Sequence, residues 1–163
     1  MLRRAKISID MVSITDQKEV TSSHNVTITA DKTLSEVNFE EAEMLILPGG
    51  IPGTPNLRAC TALCEKLKEF AANGKKVAAV CAAPTVLGEL GILEGKKATC
   101  YPSFADKLAT GDYVKQPVVT DDNVITSRGM GTCIEFAGAI IAALKDKATA
   151  DAVKEAIIYN DVY

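Results

Sequence analysis

Ligands for a metal are the first thing this sequence lacks. It has a single histidine, His24, and no C-x-x-C pair among its five cysteines. A zinc site of ordinary spacing therefore has too few ligands. Also missing is any apolar run near the roughly 18 residues that a membrane-spanning helix needs. Met1 is followed by Leu-Arg-Arg-Ala-Lys with no long apolar stretch behind it, which argues against a secretory signal. Positive charge is not in excess: 18 Lys and Arg face 21 Asp and Glu, the net charge is −3 and the pI is near 5.2. That balance argues against a nucleic-acid partner. The chain has no internal repeat, low-complexity tract or linker, so residues 1–163 read as one domain. Cysteines 60, 64, 81, 100 and 133 are odd in number and follow no pairing scheme. They read as free thiols in a reducing, cytoplasmic setting.

What is present alternates between two kinds of segment. Lys6 to Ile14, "KISIDMVSI", alternates apolar and polar residues as a strand does. "EVTSSHNVTITAD" reads as two short strands around a turn near Ser23-His24-Asn25. Met44 to Leu47 is continuously apolar and stops at Pro48-Gly49-Gly50, the pattern of a strand buried on both faces. "GTPNLRACTALCEKLKEFAANG" predicts one helix, with Thr54 as its cap, Pro55 at its first position and Gly74 at its end. Lys76 to Val80 is a second buried strand, and "PTVLGELGILEG" predicts a short helix after it. "VVTDDNVITS" suggests a strand or hairpin. Thr132 and Glu135 form a capping-box pattern before "CIEFAGAIIAALKD", and a last helix covers roughly 148–158. Strands alternating with helices imply a mostly parallel sheet covered on both faces.

The segment "KKVAAVCAAPTVLGEL" places Cys81 where a buried strand meets a helix. A nucleophile on such a strand-turn-helix junction projects above the sheet edge, and the helix N-terminus favours a thiolate over a thiol. Ala82 and Ala83 are small enough for a tight turn. Ala82 can offer its N–H to an oxyanion, and Gly49-Gly50, at the carboxyl end of a neighbouring strand, can offer a second donor. The plainer reading of Cys81 is a small buried residue that closes a strand.

"LPGG", "VAAVCAAPTVLGELGILEGKKATCYP" and "VITSRGMGT" occur in that order. Together they resemble the ThiJ/PfpI superfamily, in the branch of the parkinsonism-associated deglycase and its bacterial YajL-like relatives. The resemblance spans essentially the whole chain. It implies a flavodoxin-like three-layer sandwich with a mostly parallel sheet, a homodimer and a reactive cysteine at Cys81. It implies no cofactor and no metal. The implied activity is cysteine-dependent chemistry on reactive carbonyls: conversion of methylglyoxal to lactate, or deglycation of protein or nucleotide. The alternative is a redox-responsive chaperone or oxidative-stress sensor using Cys81. Proteolytic relatives carry a histidine directly after the cysteine, where this chain has Ala82.

The resemblance also implies a first strand and a helix bearing a glutamate that hydrogen-bonds to the cysteine sulfur. "MLRRAKISID" resembles the end of that helix, and no acid of this chain matches the glutamate. The expectation is an open position inside the sheet, between "KISIDMVSI" and "MLILPGG", and a catalytic site short of its proton carrier. Gly49, Gly50, Ala82, Tyr101 and Arg128 are the expected pocket residues. Tyr101 stands where some members have a histidine. Arg4 and His24 match two arginines that reach the cysteine pocket of the partner subunit in the family, so they are expected to act across a dimer.

Overall fold

The structure, a computed structural model, describes residues 1–159. In chain order its elements are β1 (Val12–Ser13), β2 (Glu19–Thr21), β3 (Thr27–Thr29), β4 (Lys32–Thr33), β5 (Met44–Leu47), α1 (Gly53–Ala59), α2 (Thr61–Ala72), β6 (Lys76–Val80), α3 (Pro84–Glu89), β7 (Lys97–Ala98), β8 (Asp112–Tyr113), β9 (Val118–Asp121), β10 (Val124–Ser127), α4 (Cys133–Leu144) and α5 (Lys147–Ala156). The central sheet has the order β5-β6-β10-β9. Its first three strands are parallel, and β9 returns antiparallel to β10 through the turn at Asp122 and Asn123. None of the helices among the described residues is long and apolar enough to cross a membrane.

The continuous apolar runs are explained by burial on both sides. On β5, Leu45 and Leu47 face the same cluster as Val77 and Ala79 of β6 and Val124 of β10. Met44 and Ile46 face the opposite cluster with Ala78, Val80 and Ile125. Leu63, Leu67 and Phe70 of α2 and Val86 and Leu87 of α3 close the first face. Phe136 and Ile140 of α4 close the second. Behind α4 lies α5, joined to it through Ile141, Ala150 and Val153, and Ala5 of the N-terminal segment packs there too. Each fully buried Leu, Ile or Phe contributes roughly 1.5–3 kcal/mol of transfer free energy.

The expected helix from Thr54 onward is in fact two helices. Cys60 has φ −81° and ψ 92°, outside the helical region, and the axis breaks there. The break lets α1 rest on α3 while α2 follows β5 and β6. Thr54 is buried inside α1 rather than capping it, because the helix begins at Gly53. The capping box expected at Thr132 is also not formed: the Thr132 hydroxyl is engaged by Ser127 Oγ at 2.7 Å and by Gly129.

"KISIDMVSI" contributes only Val12–Ser13 to a ladder, and that ladder is with β4. It does not pair with β5, whose only ladder partner among the described residues is β6. The two segments are therefore not neighbours in one ladder. Met44, Leu45 and Ile46 are consequently only half-buried, although every residue of the strand is apolar. Backbone groups along a free edge exchange with water more readily than those bonded on both sides. Hydrogen exchange read by mass spectrometry should show the amides of Met44–Leu47 exchanging at least about tenfold faster than those of Val77–Val80. Equal protection of the two strands would mean that something covers the β5 edge in solution.

Candidate active site

Cys81 follows directly on β6 and has φ +66°. A non-glycine residue in this left-handed region costs about 1–2 kcal/mol, which the surroundings must offset. They do so from both flanks. The Cys81 N–H donates to the Ser127 carbonyl at the end of β10 at 3.0 Å, and the Cys81 carbonyl accepts from Tyr101 N at 2.8 Å. The turn breaks the alternation of the strand. Val80 faces the α4 side, and Cys81 packs against that side too, half-buried.

Gly49 is required by this turn. A Cβ built on it would lie 2.5 Å from the Cys81 Cβ, 2.6 Å from the Val80 carbonyl oxygen and 3.2 Å from the Ala82 nitrogen. Gly50 has φ +98°, a conformation that side chains rarely adopt. The N–H groups of Gly49, Gly50 and Ala82 make no hydrogen bond among the described residues. Ala82 is buried, so its free donor is unusual for a folded chain. The sequence-derived pair of donors, one from the glycines and one from Ala82, is thus brought together around Cys81 with both left unoccupied.

A second set of contacts fixes the turn, and no motif along the chain points to it. The Thr85 hydroxyl, fully buried, donates to the Ala82 carbonyl at 2.8 Å and accepts from Arg58 at 3.1 Å. Arg58 in turn pairs with Glu89 at 2.6 Å, which ties α1 to α3. These residues stand 27 and 31 positions from Arg58, beyond the reach of any local pattern.

Three thiols cluster here. Burial pushes Cys100 up to about 11, with Arg128 opposing and a charge on Cys81 adding to the rise. Cys133 is also raised, by burial first and then by negative charge on Cys81 and Glu135. Its Sγ lies 3.5 Å from the Gly129 carbonyl. Cys60 stands at the break between α1 and α2, Cys64 lies on α2, and burial raises the Cys64 thiol as well. Tyr101, 48% exposed, forms the rim and stands against Gly129. Arg128 follows Ser127 directly and is half-buried. A groove of about 450 Å³ bordered by Ile14, Leu34, Phe39 and Lys66 includes Cys60 but neither Cys81, Cys100 nor Cys133.

The two expected cross-dimer residues lie elsewhere on the protomer. Arg4 is exposed and donates to the Ala156 carbonyl at the end of α5 at 3.4 Å. His24 is at the exposed tip of the β2–β3 hairpin, with Nδ1 3.1 Å from the Ser23 hydroxyl. Neither is bonded to a residue around Cys81 within the chain. Among the described residues no group of three or more His, Cys, Asp or Glu side chains is placed to hold a metal ion.

A model of the DJ-1/PfpI family matches residues 1–143. The chain is 38% identical over 161 residues to Protein DJ-1 homolog A of Arabidopsis thaliana, covering 97% of this chain but only 41% of that protein. It thus spans less than half the length of this plant relative. It is 36% identical to the Parkinson disease protein 7 homolog of Danio rerio over 99% of this chain and 87% of that one. Identity to the glutathione-independent glyoxalase DJR-1.2 of Caenorhabditis elegans is 38% over 72% of this chain and 63% of that protein. Among solved structures, oxidized Toxoplasma gondii DJ-1 superposes with a TM-score of 0.90 at 35% identity, covering 98% of this chain and 87% of that one.

Gly49→Ala should force the Cys81 turn apart and destabilise the fold by about 1–3 kcal/mol, read as a lower midpoint in urea. An unchanged midpoint would mean that the turn relaxes freely. At pH 8, Cys81 should be alkylated by iodoacetamide well ahead of Cys133 and Cys100. The Cys100 thiol, at about 11, stays protonated at that pH and is fully buried. Mass-spectrometric peptide mapping ranks the thiols, and labelling of Cys100 before Cys81 would overturn the order.

Proposed function

The chain belongs to the DJ-1/PfpI family, and from that membership and its strained cysteine turn we propose a cofactor-independent enzyme that acts on small reactive carbonyl compounds. Conversion of methylglyoxal to lactate is the leading activity, and release of an amine from a glycated adduct follows from the same first step. The observation that carries this reading is Cys81 at φ +66°, beside the unbonded N–H groups of Gly50 and the buried Ala82. One relative is named as a glyoxalase that needs no glutathione, which supports the same reaction class.

The Cys81 thiolate adds to the aldehyde carbon. A carbon–sulfur bond forms and the carbonyl electron pair moves onto oxygen, where the Gly50 and Ala82 donors receive it. The hemithioacetal then loses its carbon-bound proton, and a proton returns to the neighbouring carbonyl carbon, so one carbon is oxidised and the other reduced. Water releases the 2-hydroxy acid and regenerates the thiol. No carboxylate hydrogen-bonds to Cys81 among the described residues. In this reading buffer or water carries the protons to and from the bound substrate. We assign Arg4 and His24 to the partner's pocket in a homodimer, because both are exposed and only lightly engaged within the chain.

A redox-sensing role for Cys81 is the second reading, favoured by its half-exposed thiol and by the relative described as oxidized. Cys81→Ser separates the two. It should lower lactate formation from methylglyoxal at least about a hundredfold while the fold is kept, because the nucleophile itself is removed. Turnover equal to wild type would refute the enzyme reading. The wild-type rate should also rise with buffer concentration at fixed pH and ionic strength, as general catalysis by an external acid requires. A rate independent of buffer would point to an internal proton carrier.

A further inference from the structure

Among the described residues Arg128 is a half-buried cation without a counter-ion. Of the chain's four arginines, Arg3 reaches Asp31, Arg4 reaches the Ala156 carbonyl, and Arg58 reaches Glu89 and Thr85. The Arg128 side chain makes no hydrogen bond or ion pair among the described residues, and its Nε is sealed from water with no partner. A guanidinium stays charged at any physiological pH, and its planar fork matches a carboxylate. Buried polar groups left unpaired in a native chain call for an explanation.

The acids and thiols around it do not supply one. Asp122, six residues before it, pairs with Lys96, and Glu135, seven residues after it, accepts the Tyr159 hydroxyl. The Cys100 thiol, at about 11, is neutral at pH 7 and cannot serve as the counter-ion. The position of Arg128 is fixed by its neighbours. Ser127, one residue before, accepts the Cys81 N–H at 3.0 Å; Gly129, one residue after, stands against the Tyr101 ring; and the Arg128 N–H itself donates to the Pro117 carbonyl at 3.2 Å. Its guanidinium charge is felt at Cys100, whose neighbour Tyr101 is bonded to the Cys81 carbonyl.

We propose that Arg128 is an anion-binding subsite beside Cys81, so that besides methylglyoxal the pocket takes small carbonyl compounds bearing a carboxylate, and binds these more tightly than uncharged aldehydes of similar size. The inference builds on the carbonyl chemistry proposed above but extends it to the charge of the substrate. With the carbonyl carbon at the Cys81 sulfur and its oxygen at the Gly50 and Ala82 donors, the carboxylate is received by the Arg128 fork. Tyr101 borders the opening.

The test uses two alkylating agents that differ chiefly in charge, iodoacetate and iodoacetamide, on the full chain. The rate ratio of iodoacetate to iodoacetamide is measured at Cys81 and at Cys133, which serves as the internal reference. In the wild type the ratio at Cys81 should exceed that at Cys133 by about tenfold, the span that a single docked charge pair gives. Arg128→Met should bring the two ratios together, and Arg128→Lys, which keeps the positive charge, should keep part of the preference. Glyoxylate should protect Cys81 from iodoacetamide at lower concentration than acetaldehyde does, and Arg128→Met should abolish that difference. Equal ratios at the two thiols in the wild type, or a preference that survives in Arg128→Met, would overturn the subsite. The readout is independent of turnover. Anion preference without lactate formation would refute the enzyme reading alone, and lactate formation without anion preference would refute the subsite alone.

Discussion

One residue in a left-handed conformation organises the site. Cys81 sits at φ +66° only because its N–H is claimed by the end of β10 and its carbonyl by Tyr101. Those two bonds bring the loops after β7 and β10 onto the end of β6. Gly49 belongs to the same constraint, since any side chain there would strike the Cys81 Cβ and the Val80 carbonyl. The loops that border the thiol are therefore fixed by the turn that presents it. The strain of about 1–2 kcal/mol is small beside the burial that supports it.

That support comes from the two-sided sheet. Alternate residues of β5, β6 and β10 feed two separate apolar clusters, so β6 cannot slide without exposing both. The Arg58–Glu89 pair and the Thr85 hydroxyl add a polar lock beneath the turn, joining α1, α3 and the Ala82 carbonyl. The free edge of β5 is the contrasting region. It is apolar, half-buried and bonded on one side only, so the sheet is tightest at β6 and loosest two residues from Gly49. Rigidity at the thiol and openness at the neighbouring edge thus occur within one strand spacing.

Charge is distributed in the same selective way. Among the described residues seven ion pairs engage lysines and arginines at the surface, and such exposed pairs contribute little each. Arg128 stands apart from them, partly withdrawn from water and unpaired beside the reactive turn. The free N–H of Ala82 is the same kind of feature. Under the proposed function, these unpartnered donors beside Cys81 would receive negative charge, both on a developing oxyanion and on a bound carboxylate.

Much of this was legible in the residues themselves. Period-two and continuous apolar runs gave the strands, and the jump from Val80 through Cys81 to Pro84 gave the elbow, because local backbone preference governs such turns. Glycines before the first long helical stretch pointed to donors near the thiol for the same reason. The misread features were those where a contact from afar prevailed over local preference. Cys60 interrupts a helix that its own periodicity favours, since α1 and α2 rest on different neighbours. Thr132 gives its hydroxyl to Ser127 and Gly129 instead of a helix cap. The order of elements, the buried strands and the place of Cys81 depend on neighbours along the chain and could be read from the residues. Folding alone brings Thr85 under the turn, gathers Cys81, Cys100 and Cys133, and leaves Arg128 without a counter-ion among the described residues. Those facts depend on which distant side chains meet, and no local spacing encodes them.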